Sequence, residues 1–409
     1  MTRLQKTWAR ETWALICISS AAAFLLGGYE FLRSSTNTLF QAAYGTQNLP
    51  FITALMPIGL IFVLYIYGWL LSRLGPRRTL LFTSLASGVV IVGCYLQIHA
   101  GSKIATGVAY IFREAYIVLL IEQYWSFLNS TFGETHARKL NGPVAGIASL
   151  GSISGGLLLS RLAEPLGTAA MLLFAAGAVL PAALFSELAY QKCGEPKPAP
   201  QEKEGKQGQL GIKVLSNSPL LVLLFMLVMT TQIVSTVLML SFQTILHAEI
   251  PNLDRQTAFS GQFFALLNGA SAFLQFIVAP FLLTTVSLKW VHAVIPLIHS
   301  AAAAALIMAP SLNTAGFAYL IFKAIDYSIF RAAKEILYIP LSFDSRYRAK
   351  ELIDVFGYRF SKGATSLILT ILQKLGIAIV PLYSWAALGA SCLWFTLILK
   401  LKARHQRTI

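Results

Sequence analysis

The sequence predicts an all-α, polytopic membrane protein of about twelve transmembrane helices arranged as two sets of six. Three observations predict it. Of 409 residues, 56% are hydrophobic and only 12% charged, where a soluble domain carries roughly 25% charged residues. Apolar runs of about 20 residues recur along the whole chain, each long enough to cross roughly 30 Å of hydrocarbon as a helix. The basic residues also gather in alternate polar breaks, as the positive-inside rule requires of a chain that crosses the bilayer repeatedly.

Reading apolar runs between polar breaks places spans near 13–34, 50–72, 79–99, 104–130, 141–162 and 167–190. A second six follow near 218–245, 258–284, 287–309, 314–340, 354–373 and 380–401. A short basic leader, Met1 to Arg10, enters the first run with no small-residue cleavage site after it, so that helix is expected to stay as a span. Between the sets, Gln191 to Leu210 is rich in Pro, Gly and charge and reads as a flexible linker. The expected organisation is an N-terminal bundle over 1–190, a cytoplasmic linker over 191–210 and a C-terminal bundle over 211–409. With the N-terminus in the cytoplasm, the opposite side keeps only Lys103, Arg161, Arg255 and Lys374 among the loop bases. Both termini are therefore expected to be cytoplasmic, in a membrane expected to be the bacterial inner membrane. The same loops account for most of the +15 net charge, so no nucleic-acid partner is needed to explain it. The cysteines Cys17, Cys94, Cys193 and Cys392 have no metal or disulfide spacing. Neither a cofactor nor enzymatic chemistry is expected.

Between the second and third spans, the run from Gly68 through Ser72, Arg73, Gly75, Arg77 and Arg78 resembles the loop signature of the major facilitator superfamily. That resemblance implies that Arg73, Arg77 and Arg78 serve a cytoplasmic gate. It also implies that the first, fourth, seventh and tenth spans line a central path. Ser72 stands where the signature has an Asp. A weak internal repeat fits two related halves: Phe112-Arg113-Glu114 in the fourth span and Phe330-Arg331 in the tenth, each followed by a basic loop.

Ionisable residues inside spans are the sharper signal, because each costs several kcal/mol at the bilayer centre unless it is paired or hydrated. Glu30 and Arg33 lie on the first span, Arg113, Glu114 and Glu122 on the fourth, Lys323, Asp326, Arg331, Lys334 and Glu335 on the tenth, and Arg359 and Lys362 on the eleventh. Spacings of eight and three place Lys323, Arg331 and Lys334 on one helical face. Bases outnumber acids, which favours an anionic solute. Neighbouring pairs such as Arg33 with Glu30, Arg113 with Glu114, and Lys323 with Asp326 also fit simple mutual neutralisation. Tyr29, Tyr116, Tyr124, Trp125 and Tyr327 flank the charges, and their spacing fits either ring stacking or an interfacial belt. His292 and His299, on the ninth span, read as packing residues.

The segment Phe330 to Leu341, with Lys334, Glu335, Tyr338 and Pro340, continues through Lys350 to Gly363 with Asp354, Arg359 and Lys362. It resembles the ATP/ADP translocase family of nucleotide transporters. Arg33 to Asn37 and Glu114 to Asn129 are similar to that family in outline. The resemblance implies a facilitator-type carrier of nucleotides and retains Lys334 and Glu114 among its charged positions. Thr36 stands where the family has a substrate-binding lysine, and Val234 to Leu246 carries no charge where the family has a glutamate. The expected function is secondary active transport of a small organic anion by alternating access, bound by Arg33, Arg113, Lys323, Arg331 and Lys334. Glu114 and Asp326 would pair with them or take up a proton as coupling ion, while the bilayer is the protein's solvent. A proton-coupled carrier or exporter of another metabolite, a siderophore or a drug is the alternative, and a receptor or scaffold the reading from another class.

Overall fold

The computed structural model of the chain describes residues 3–131, 134–194, 218–338, 353 and 357–405. Among them the regular structure is helical, with no strand. The helices are α1 (Arg3–Tyr44), α2 (Leu49–His99), α3 (Lys103–Thr131), α4 (Glu134–Leu166), α5 (Met171–Cys193), α6 (Pro219–Glu249), α7 (Leu253–Phe273), α8 (Ala279–Thr285), α9 (Leu288–Met308), α10 (Leu312–Ile325), α11 (Arg331–Tyr338), α12 (Tyr358–Lys374) and α13 (Ile379–His405). Two π-helical turns, Leu274–Val278 and Asp326–Phe330, join α7 to α8 and α10 to α11. The polytopic, all-helical class expected from the sequence is what the chain adopts, with nine stretches among the described residues long and apolar enough to cross a membrane. Most of the linker expected at 191–210 lies outside the described residues, as do residues 339–352 and 354–356.

One of the nine stretches, Thr46–His99, holds two of the expected spans. Its helical run is broken at Gly75, whose φ of 76° and ψ of 169° fall where only glycine sits without strain. Pro76 follows, and a residue before proline is pushed out of the helical region. The break thus lies inside the facilitator-like loop signature, where the sequence places a turn.

Contacts gather the helices into two compact units: Met1–Gly45 with Ile58–Gly205 and Ile250–Gly269, and Thr46–Pro57 with Lys206–Glu249 and Ala270–Ile409. In the first, α1 packs against α3, α4 and α5, burying Ile18, Leu25, Tyr116, Leu120, Phe127, Leu172 and Val179. Glycines set the closest of these approaches. A methyl group at Gly155 of α4 would stand 2.6 Å from the Gly27 Cα of α1, and one at Gly28 would stand 2.8 Å from the Ala178 side chain of α5. In the second unit α6 packs against α10, α12 and α13, and α9 against α10 and α13. The buried Phe322, Phe330 and Trp394 fill its interior together with His292 and His299.

Candidate functional site

The charges of the first unit form two joined clusters on α1 and α3. Glu30 is 2% exposed and carries the carboxylate that Arg33 pairs with one turn later. Asn268 of α7 donates its side-chain amide to the other Glu30 oxygen at 2.9 Å. The Arg33 guanidinium carbon lies over the Phe264 ring of the same helix, 3.4 Å from its centroid, with the Tyr29 ring at 5.2 Å. Such stacking suits arginine, whose planar charge is weakly hydrated. Arg113 donates to Asn37 Oδ1 at 2.5 Å and to the Arg33 carbonyl at 3.2 Å, and it stacks on Tyr110 at 3.7 Å. Its Nε stands 4.0 Å from Glu114.

The hydroxyls between these groups donate within their own helix, and that of Thr36 also accepts from Arg113 at 3.4 Å. Ser35 donates to the Phe31 carbonyl and Thr36 to the Leu32 carbonyl at 2.7 Å. Thr36 thus fills the position of the family's lysine with a neutral side chain turned to its own backbone.

In the second unit, Lys323 stands 3.8 Å from Asp326 and 4.8 Å from the Tyr327 ring centroid. Lys334 is 2% exposed and lies 5.1 Å from the Tyr358 ring of α12. Arg331 and Tyr327 are exposed. The three bases expected on one face therefore divide: the π turn changes the helical phase, and Lys334 turns to the buried side while Arg331 does not. Of the gate residues, Arg77 makes a two-pronged contact with Glu187 near the end of α5, its Nε 3.1 Å from both carboxylate oxygens. Ser72 donates to the Gly68 carbonyl at 2.8 Å, Arg73 stacks on Trp69 at 4.5 Å, and Arg78 is exposed. Asn37, Tyr110, Phe264, Asn268 and Glu187 complete these arrangements without having been singled out as site residues from sequence. Only Asn37 lay within a quoted motif.

Residues 304–405 match the family model described as TLC ATP/ADP transporter. Over 91% of this chain, and 85% of the relative, the sequence is 24% identical to ADP,ATP carrier protein 1 of Chlamydia trachomatis serovar D. The chain resembles the ATP/ADP translocase family. Solved structures of similar fold include the nucleoside transporter NupG, with a TM-score of 0.67 at 11% identity over 95% of this chain and 98% of that one. A D-xylose-proton symporter matches with a TM-score of 0.67 at 14% identity, over 94% of this chain and 97% of its own. A POT family transporter matches with a TM-score of 0.66 at 13% identity, over 97% and 98%. These relatives are transporters, not enzymes, and their shared fold is facilitator-like. The chain is a multi-pass membrane transporter.

Proposed function

We propose that this transporter carries a small organic anion, a nucleotide or a less charged relative of one, by alternating access as a secondary active carrier. The observation that carries the reading is the pair of arginines, the half-buried Arg33 and the buried Arg113, each with its guanidinium carbon over an aromatic ring within the first unit. The second unit carries further bases, Lys323 on α10 and Arg331 and Lys334 on α11, and positive charge of this kind is what an anion needs in a medium of low dielectric. Glu30, Glu114 and Asp326 hold part of that charge in balance and suit it to an anion of one or two charges. Nucleotide chemistry enters through the Chlamydia relative's description as an ADP,ATP carrier. The excess of basic residues in alternate loops supports cytoplasmic termini in an inner membrane.

Ligand binding to the folded state raises apparent stability, by an amount that grows with the logarithm of ligand concentration once this exceeds Kd. The test is the thermal unfolding of the purified protein with nucleotides, sugar phosphates, neutral sugars and amino acids in turn. Phosphate-bearing anions are expected to raise the unfolding temperature and neutral sugars to leave it unchanged. Stabilisation by neutral solutes alone would overturn the anion reading.

A further inference from the structure

Among the described residues two carboxylates are almost fully buried, Glu30 at 2% exposed and Asp326 at 4%, and they are held very differently. Glu30 has both oxygens occupied, one by Arg33 and the other by the Asn268 amide. Asp326 buries its Oδ1 with no hydrogen-bond partner among the described residues. Its other oxygen stands 3.8 Å from Lys323 Nζ, beyond hydrogen-bond reach. A buried polar atom left without a partner is costly, more so when it carries charge, and in a folded protein it calls for a reason. Asp326 also opens the π turn Asp326–Phe330, and π turns recur at functional sites.

The surrounding elements offer Asp326 little besides Lys323. The turn Leu274–Val278, which packs against the π turn of Asp326, has no ionisable residue. On α6 the ionisable groups are His247 and Glu249, and Glu249 accepts from the Leu312 amide at the start of α10. From α9, His299 and His292 lie against Phe322 and Phe330, and Trp394 of α13 lies against Phe330 as well. On its own stretch Asp326 has Tyr319, Lys323 and Tyr327, and α11 follows with Arg331, Lys334 and Glu335.

A proton answers the need of Oδ1. It turns an unpartnered buried charge into a neutral carboxyl and ends the hold of Asp326 on Lys323. The ammonium and the carboxylate sum to zero charge before the change. After uptake of one proton and one unit of anionic charge, the ammonium faces the anion beside a neutral carboxyl, and the sum is again zero. Nothing is left as an uncompensated buried charge, the arrangement that costs most.

Resting on the anion reading above, we propose that Asp326 is the proton site of this carrier. Its carboxylate holds Lys323 until Oδ1 takes up a proton, and Lys323 then turns to the anion. One O–H bond forms and no other covalent bond changes. Of Glu114 and Asp326, between which the sequence leaves the proton open, the buried and unpartnered Oδ1 selects Asp326, since Glu114 is only half-buried. Proton and anion then travel in the same direction.

The experiment measures equilibrium binding of AMP to the purified full-length protein between about pH 7 and 8.5, above the second phosphate pKa of about 6, so that the probe does not titrate. Wild-type affinity is expected to fall by about tenfold per pH unit, the slope of one proton bound with the anion. Asp326→Asn, whose amide stands in for the neutral acid, should bind AMP at least as tightly as the wild type does at pH 7 and show no slope. Lys323→Gln should bind more weakly and lose the slope as well. A flat wild type, a slope that survives in Asp326→Asn, or binding weakened equally at every pH by Asp326→Asn would overturn the proton role and leave the anion reading in place. Failure of AMP to bind the wild type, with neutral sugars binding instead, would overturn both.

Discussion

Arg331 and Lys334 were grouped by spacing, yet their surroundings separate what each does. Arg331 is exposed, whereas Lys334 is 2% exposed beside Tyr358. Arg331→Gln is expected to weaken binding of the anion by about 1.5–3 kcal/mol, the usual worth of a hydrogen bond to a charged group, with the unfolding temperature unchanged. Lys334→Gln is expected to weaken binding and also to lower the unfolding temperature, because it removes a buried charge from a packed setting. Equilibrium binding and thermal unfolding of both variants check this, and unchanged affinity in both would reduce the two residues to packing. The charges themselves were legible, since an ionisable residue in an apolar run stands out at once. Their partners were not. Phe264 and Asn268 are neutral residues in an apolar helix, and nothing local marks a contact with Arg33 or Glu30 more than 200 positions away in the chain. Glu187 as the partner of Arg77, 110 residues distant, was hidden for the same reason.

At the scale of the element, periodicity and length made the helices readable, while their phase and their closeness were less so. The turn at Gly75 was expected from Gly, Pro and clustered arginines. The π turn at Asp326–Phe330 inserts without any residue type that demands it, and it is why Lys334 leaves the stripe of Lys323 and Arg331. The glycine contacts of α1 with α4 carry a consequence of their own. Without a hydrophobic drive between helices in lipid, close backbone approach supplies the packing that holds them together. A methyl group at Gly151 would run into the Ala23 backbone, and one at Gly155 would meet Gly27, so no flexible side chain can yield at either place. Gly155→Leu is expected to lower the unfolding temperature strongly or to abolish the folded yield, since overpacking a tight crossing costs about 1–3 kcal/mol or more. Gly93, with nothing within 4 Å of the methyl position, should accept Leu without loss. Equal stability of the two variants would mean that the crossing opens at little cost.

At the scale of the whole molecule, the decisive quantity is how much anionic charge the protein can hold. A chain that exchanges ATP for ADP must stabilise three or four negative charges in a site of low dielectric, and each charge left without a partner there costs several kcal/mol. In the first unit, Arg33 is paired with Glu30, and Arg113 stands beside Glu114 while donating to Asn37. In the second, Asp326 offsets Lys323. Thr36 offers a neutral hydroxyl, donated to its own helix, where the family has a lysine, and α6 buries the neutral Thr236 and Gln243 over the stretch where the family has a glutamate. The net positive charge that remains suits one or two negative charges better than four. In proteoliposomes loaded with ADP, external labelled ATP is therefore expected to exchange slowly or not at all, while an anion of lower charge is taken up. Rapid, saturable ATP uptake that depends on internal ADP would show that a lysine at position 36 and a glutamate on α6 are dispensable for exchange.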